Sequence, residues 1–209
     1  QGEIADAIAG LQKVHKGKIL LGGQDITDLP IRERVQKGVS YIPEDRHGVG
    51  LILDFALREN LALRNYYQDP FAKKTVLNEP AFESFSERLI NTYDIRSANG
   101  GDTQVRSMSG GNQQKAIIGR EIEQNAPLTI FVQPTRGLDI GAIEKIHQQI
   151  IDERDQGKAV LLISLELDEV MDLADTIGVI YSGEIGKIAP AESLSTKEVG
   201  EYMMGVKRK

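Results

Sequence analysis

The segment Ser107-Met108-Ser109-Gly110-Gly111-Asn112-Gln113-Gln114-Lys115 puts hydroxyls and two glycines where a helical pattern begins. A helix start carries N–H groups without intrahelical acceptors and the positive end of the helix dipole. Glycines there let an anion approach the main chain, so the segment can hold a phosphate. By itself it equally fits a serine N-cap after a glycine-rich turn. Further along, the aliphatic run Leu128 to Val132 reads as a strand, and Gln133-Pro134-Thr135-Arg136-Gly137-Leu138-Asp139 follows at its carboxyl end. That is the edge of a parallel sheet where ligands bind. Other chemistry is scarce. There is no cysteine, and His15, His47 and His147 are too scattered to ligate a metal. His47 reads as an exposed loop residue, and Glu83, Glu87 and Arg88 read as surface. Glu166, Asp168, Glu169, Asp172 and Asp175 read as a solvated helix face whose charge complements the helix dipole.

These segments need elements to hold them. Residues 1–10 read as a helix closed by Gly10, and Ile19-Leu20-Leu21 as a short strand between turn glycines. Pro30 opens a short helix that Gly38 ends, and Val39 to Ile42 is a strand running into Pro43. From about residue 56 to 99 the pattern turns helical, clearest over Ala81 to Tyr93, with breaks at Asp69-Pro70 and Asn78-Glu79-Pro80. From Ser109 onward, helices ending near Glu123, Arg154 and Ala174 alternate with strands Leu128 to Val132, Ala159 to Ile163 and Ile177 to Tyr181. Ile143, Ile146 and Ile150 would cover one sheet face. A hairpin at Gly183 and a helix near Lys197 to Met204 close the chain. Aliphatic strands alternating with amphipathic helices predict an α/β fold: a mostly parallel sheet, helices on both faces, and a helical subdomain. All four strands, Val39–Ile42 through Ile177–Tyr181, are expected in that one sheet.

The 209 residues suffice for one domain with an insertion. With 25 Lys+Arg against 31 Asp+Glu, and Lys207-Arg208-Lys209 the one basic cluster, nucleic acid is not an expected partner. The longest apolar runs fall far short of the ~18 residues that span a bilayer. Gln1 opens on a helical pattern with no charged-then-apolar leader, so polypeptide is expected to precede it.

Together the motifs resemble the nucleotide-binding domain of ABC transporters, specifically the second of two fused ATP-binding halves in importers of simple sugars and nucleosides. Ser109, Gly110, Gly111, Asn112 and Gln113 match the signature motif, with Gln114-Lys115 continuing it. Tyr41-Ile42-Pro43-Glu44-Asp45-Arg46 resembles this branch's Q-loop, and Pro134 to Asp139 its D-loop. The resemblance implies residues 1–55 as a partial ATPase core lobe, 56–108 as the helical subdomain, and 109–209 as signature helix and remaining core.

The departures bear on function. Of the family's phosphate loop only a tail could remain, Gln1 at the lysine position and Gly2 at the hydroxyl position, with most of that N-terminal part missing. Where the family has a magnesium-binding Asp and a water-activating Glu, this chain has Val132 and Gln133; Leu165 stands at the switch histidine and Glu44 at the Q-loop glutamine. A neutral amide can orient water but cannot accept its proton. The resemblance therefore implies a noncatalytic half. It would give Ser109, Gly110, Gly111, Asn112 and Gln113 to the partner's ATP site, with Asp139 making contacts across the interface. ATP and Mg2+ would act in the assembled transporter, neither held tightly by this chain, which is not expected to hydrolyse ATP alone. Expected partners are the other nucleotide-binding half of the same polypeptide, membrane permease subunits and, indirectly, a substrate-binding lipoprotein, at the cytoplasmic face of the membrane. Val132-Gln133 resembles the nucleoside branch. A permease helix would enter the groove between the lobes, with Gly48 and Gly50 letting the joint bend. An autonomous ABC ATPase and an ABC-type protein not coupled to transport are the alternatives.

Overall fold

The structure, a computed structural model, describes residues 1–207, so Arg208 and Lys209 of the terminal basic run lie outside the described residues. In chain order the elements are α1 (Gly2–Ala9), β1 (Leu20–Leu21), β2 (Gln24–Asp25), α2 (Ile31–Lys37), β3 (Val39–Ile42), α3 (Leu57–Ala62), β4 (Ala72–Lys73) and β5 (Val76–Leu77). They continue with α4 (Glu79–Thr92), α5 (Gly110–Ile122), β6 (Leu128–Val132), α6 (Ile140–Asp155), β7 (Ala159–Ile163), α7 (Leu167–Leu173), β8 (Thr176–Tyr181), β9 (Glu184–Pro190) and α8 (Thr196–Met203). Among the described residues no helix is long and apolar enough to cross a membrane.

Strands β3, β6 and β7 form a parallel sheet in that order, with Val39 opposite Leu128 and Leu128 opposite Ala159. Successive strand side chains point to opposite faces, so each aliphatic run feeds two cores. Ile42, Phe131, Val160 and Leu162 pack on one face with Ile117 of α5 and Ile146 and Ile150 of α6. Val39, Tyr41, Ile130 and Val132 pack on the other with Ala5 and Ala9 of α1. The first core continues into the helical lobe through Leu57, Leu61, Leu89, Tyr93 and Val105.

One expectation needs correction. Strand β8 does not join the parallel sheet; it pairs antiparallel with β9 as a separate ribbon. A cavity of about 530 Å3, lined by Val160, Leu161 and Leu162 of β7 and by Ile177 and Ile180 of β8, lies between them. The strand was legible from its own aliphatic run, but its pairing depends on what fills this space. Within the helical lobe, the short strands β4 and β5 pair as a hairpin.

Candidate functional site

Helix α5 begins at Gly110 with Ser109 as its N-cap. Ser109 Oγ accepts from Asn112 Nδ2 at 2.9 Å, and Asn112 Oδ1 accepts from the Arg96 N–H at 2.9 Å. Asn112 is thereby fixed from two sides. With its oxygen accepting from that amide, the Ser109 hydroxyl proton remains free to donate outward. Ser109 and Gly110 are exposed. Gln113 differs: it is buried, and its Nε2 donates to Val105 O at 3.0 Å, so it faces the lobe interior.

Asp139 is exposed and caps α6, its Oδ1 accepting from Ala142 N at 2.9 Å. A cavity of about 350 Å3 brings it together with Ser109, Gly111 and Asn112. Sequence reasoning missed the charges on its wall: Asp94 Oδ2 accepts from Lys145 Nζ at 2.7 Å and Lys115 Nζ at 3.0 Å. The Lys145 and Lys115 hydrogen bonds hold the Asp94 carboxyl down at about 2. Nothing local to Asp94 signals this, because its partners lie 51 and 21 residues away. Glu44 is paired with Arg136, which offsets the negative charge it brings.

The opposite arrangement holds where the chain's own magnesium and base would sit. Val132 is buried in the apolar cluster that faces α1, and it has no oxygen to offer a cation. Gln133, at φ 49, turns its Oε1 to accept from Leu165 N at 3.3 Å, so its amide ties the end of β6 to the end of β7. These residues do not fit a magnesium-bound nucleotide. Gln1 lines the cavity between β7 and β8 and caps α1 without a side-chain bond; Gly2 begins that helix.

His47 is exposed, as its sequence predicted, and its Nε2 lies 2.9 Å from Gln113 Oε1. One reading changes. Glu169 is buried rather than solvated, bonded to His147 Nε2 at 2.9 Å across α6 and α7. Gly48 and Gly50 answer to close packing: an added Cβ would meet Asp45 Oδ2 at 2.4 Å and Ile117 Cδ1 at 2.7 Å.

Residues 3–136 match the model of the "ABC transporter" family. The chain belongs to the ABC transporter family. As an ABC transporter ATP-binding domain it is 45% identical over its whole length to the guanosine import ATP-binding protein NupO of Bacillus subtilis. It is 46% identical over 98% of its length to the nucleoside import ATP-binding protein NupA of Lactococcus lactis. A ribose import ATP-binding protein, RbsA of Bacillus cereus, is 35% identical over 94% of the chain. The chain spans about two fifths of these relatives: 41%, 40% and 39% of their lengths. A dimeric ATP-binding cassette in a post-hydrolysis state with ADP and Pi superposes with a TM-score of 0.73 at 20% identity, covering 90% of this chain and 79% of that one. That likeness shows the ABC ATPase fold.

Proposed function

We propose that this chain is the half of an ABC importer for nucleosides or simple sugars that lends its signature segment to a partner's ATP site and does not itself turn over ATP. The observation that carries the reading is the contrast between its two ends of chemistry. Ser109 presents a free hydroxyl proton at an exposed glycine-rich helix start, whereas Val132 is buried in a core and Gln133 is spent on Leu165 N. Ser109 and the N–H groups of Gly110 and Gly111 can donate to the terminal phosphate of ATP held by the partner, and the dipole of α5 favours that charge. Cargo follows the nucleoside and sugar import proteins that the chain resembles. The partner half is proposed to lie in the same longer polypeptide, in keeping with relatives of which this chain is about two fifths. Permease subunits would dock at the joint between the lobes, where Val49 and Phe55 are exposed, on the cytoplasmic face of the membrane, with a substrate-binding lipoprotein acting indirectly.

The test is steady-state ATP hydrolysis by the assembled importer. Ser109→Arg or Gly110→Asp puts bulk or charge into the phosphate's place and is expected to abolish turnover with the fold intact by thermal unfolding. Loss of a serine cap alone costs ~1 kcal/mol and would leave activity largely in place. Gln133→Ala is expected to change turnover little. A well-folded Gly110→Asp importer with normal turnover, beside a Gln133→Ala importer without it, would reverse the assignment.

A further inference from the structure

Resting on that role for the signature segment, we propose that Arg46 is a positioning residue that sets the spacing between the start of α5 and the loop after β6. Its guanidinium donates from Nη1 to Gly110 O at 3.1 Å and from Nη2 to Arg136 O at 3.4 Å, acceptors 64 and 90 residues away in the chain. The group lies over two glycines: an added Cβ would stand 3.4 Å from Nη1 at Gly110 and 3.9 Å from Nη2 at Gly137. One planar fork thus joins the two segments that supply Ser109 and Asp139 to the same cavity.

The base of the fork is itself fixed. Residues Arg46–Gly50 form a single wide helical turn, and Asp45 Oδ1 accepts from His47 N at 3.1 Å and Gly48 N at 2.9 Å. The turn is fastened to α5 through His47. Because Gln113 Nε2 donates to Val105 O, Gln113 Oε1 is the acceptor and His47 Nε2 the donor in their 2.9 Å contact. The turn therefore rides on α5, and Arg46 reaches across from it to the β6 loop. A displacement of this turn, which begins at the last residue of the Q-loop segment, would move the signature and Asp139 together. Arg46 acts through two backbone carbonyls and not through the nucleotide.

A lysine keeps the charge but presents a compact ammonium in place of a fork, so it does not bridge two carbonyls on separate segments with the same geometry. In the assembled importer, Arg46→Ala and Arg46→Lys are both expected to raise KM for ATP and lower kcat about tenfold to a hundredfold, as misplacement of a reacting group does. The thermal midpoint should stay near that of the parent, and amide exchange at Asn112 and Gln113, whose N–H groups are bonded to Ser109, should quicken. A residue with only a structural role would lower the midpoint and the active fraction while leaving KM unchanged. Parent-like KM and exchange in Arg46→Lys would show that charge alone matters and overturn the clamp. Parent-like values in Arg46→Ala, beside an inactive Gly110→Asp, would remove the clamp and leave the signature reading standing. Should Gly110→Asp stay active, the signature reading falls, and exchange at residues 112 and 113 in Arg46→Ala still decides whether the clamp exists.

Discussion

Arg34 shows how one buried cation can hold several chain ends. Its guanidinium donates to Leu29 O, Ala7 O, Ile8 O and Thr27 O, which anchors the C-terminal end of α1 and the approach to α2. These carbonyls are partly orphaned by helix and turn ends, and the cation also suits the negative end of α1. Arg34→Ala leaves several acceptors unpaired and is expected to destabilise by about 3 kcal/mol, measured by urea unfolding. Arg34→Lys should recover only part, because an ammonium cannot serve four carbonyls. Asp94 makes a different prediction. Its carboxyl titrates at about 2, held down first by Lys145 and then by Lys115, against an ordinary value of about 3.9. The unfolded chain therefore binds this proton first as pH falls. The stabilisation is full above the ordinary value and is lost as pH drops toward 2. Urea midpoints of Asp94→Asn should lie below the parent's at neutral pH and converge with them near pH 2; a constant gap would contradict the pairing. The serine cap and its glycines were legible because they are contiguous. Arg34 and Asp94 were not, because side-chain partners dozens of residues apart leave no local pattern.

At the scale of elements, helices and strands followed from signals the chain carries locally. Gly10 at φ 87 and Gly38 at φ 100 end α1 and α2 in the left-handed conformation that glycine adopts without strain. The aliphatic runs became β6, β7 and β8 at nearly the expected bounds. How the elements pack was less visible. Glu169 sits in an acidic run, yet one helical turn aims it inward at His147. Gly119 in α5 is another case, because a Cβ there would meet the Tyr93 ring at 2.8 Å. The close approach lets α5 lie against the end of α4, where Tyr93 OH reaches Glu123 Oε1 at 3.4 Å. Alanine improves helix propensity by about 1 kcal/mol over glycine, but overpacking a core costs about 1–3 kcal/mol. Gly119→Ala is therefore expected to be destabilising by thermal unfolding. Combining it with Tyr93→Leu should cost less than the sum of the two, since the smaller side chain relieves the clash.

Among the described residues, the parallel sheet stops at β7 while the next aliphatic strand lies beyond a cavity. Strand runs announce themselves by composition, but a partner is settled only by neighbours in space. In a parallel ladder the N–H and C=O of alternate residues point to opposite neighbouring strands. Ala159 N donates to Pro127 O, and Ile163 O accepts from Gln133 N, so residues 159, 161 and 163 face β6. Val160 and Leu162 consequently direct their main-chain groups toward the cavity. Such an unpaired apolar edge is a template for strand pairing. Hydrogen exchange of the 209-residue protein, followed by NMR, is expected to show a slow Leu161 amide between faster Val160 and Leu162 amides. Uniform protection along β7 would mean that its outer edge is paired after all, whether with β8 or with another molecule. Concentration separates those two outcomes: protection by self-association falls on dilution, whereas a continuous sheet within one chain keeps it.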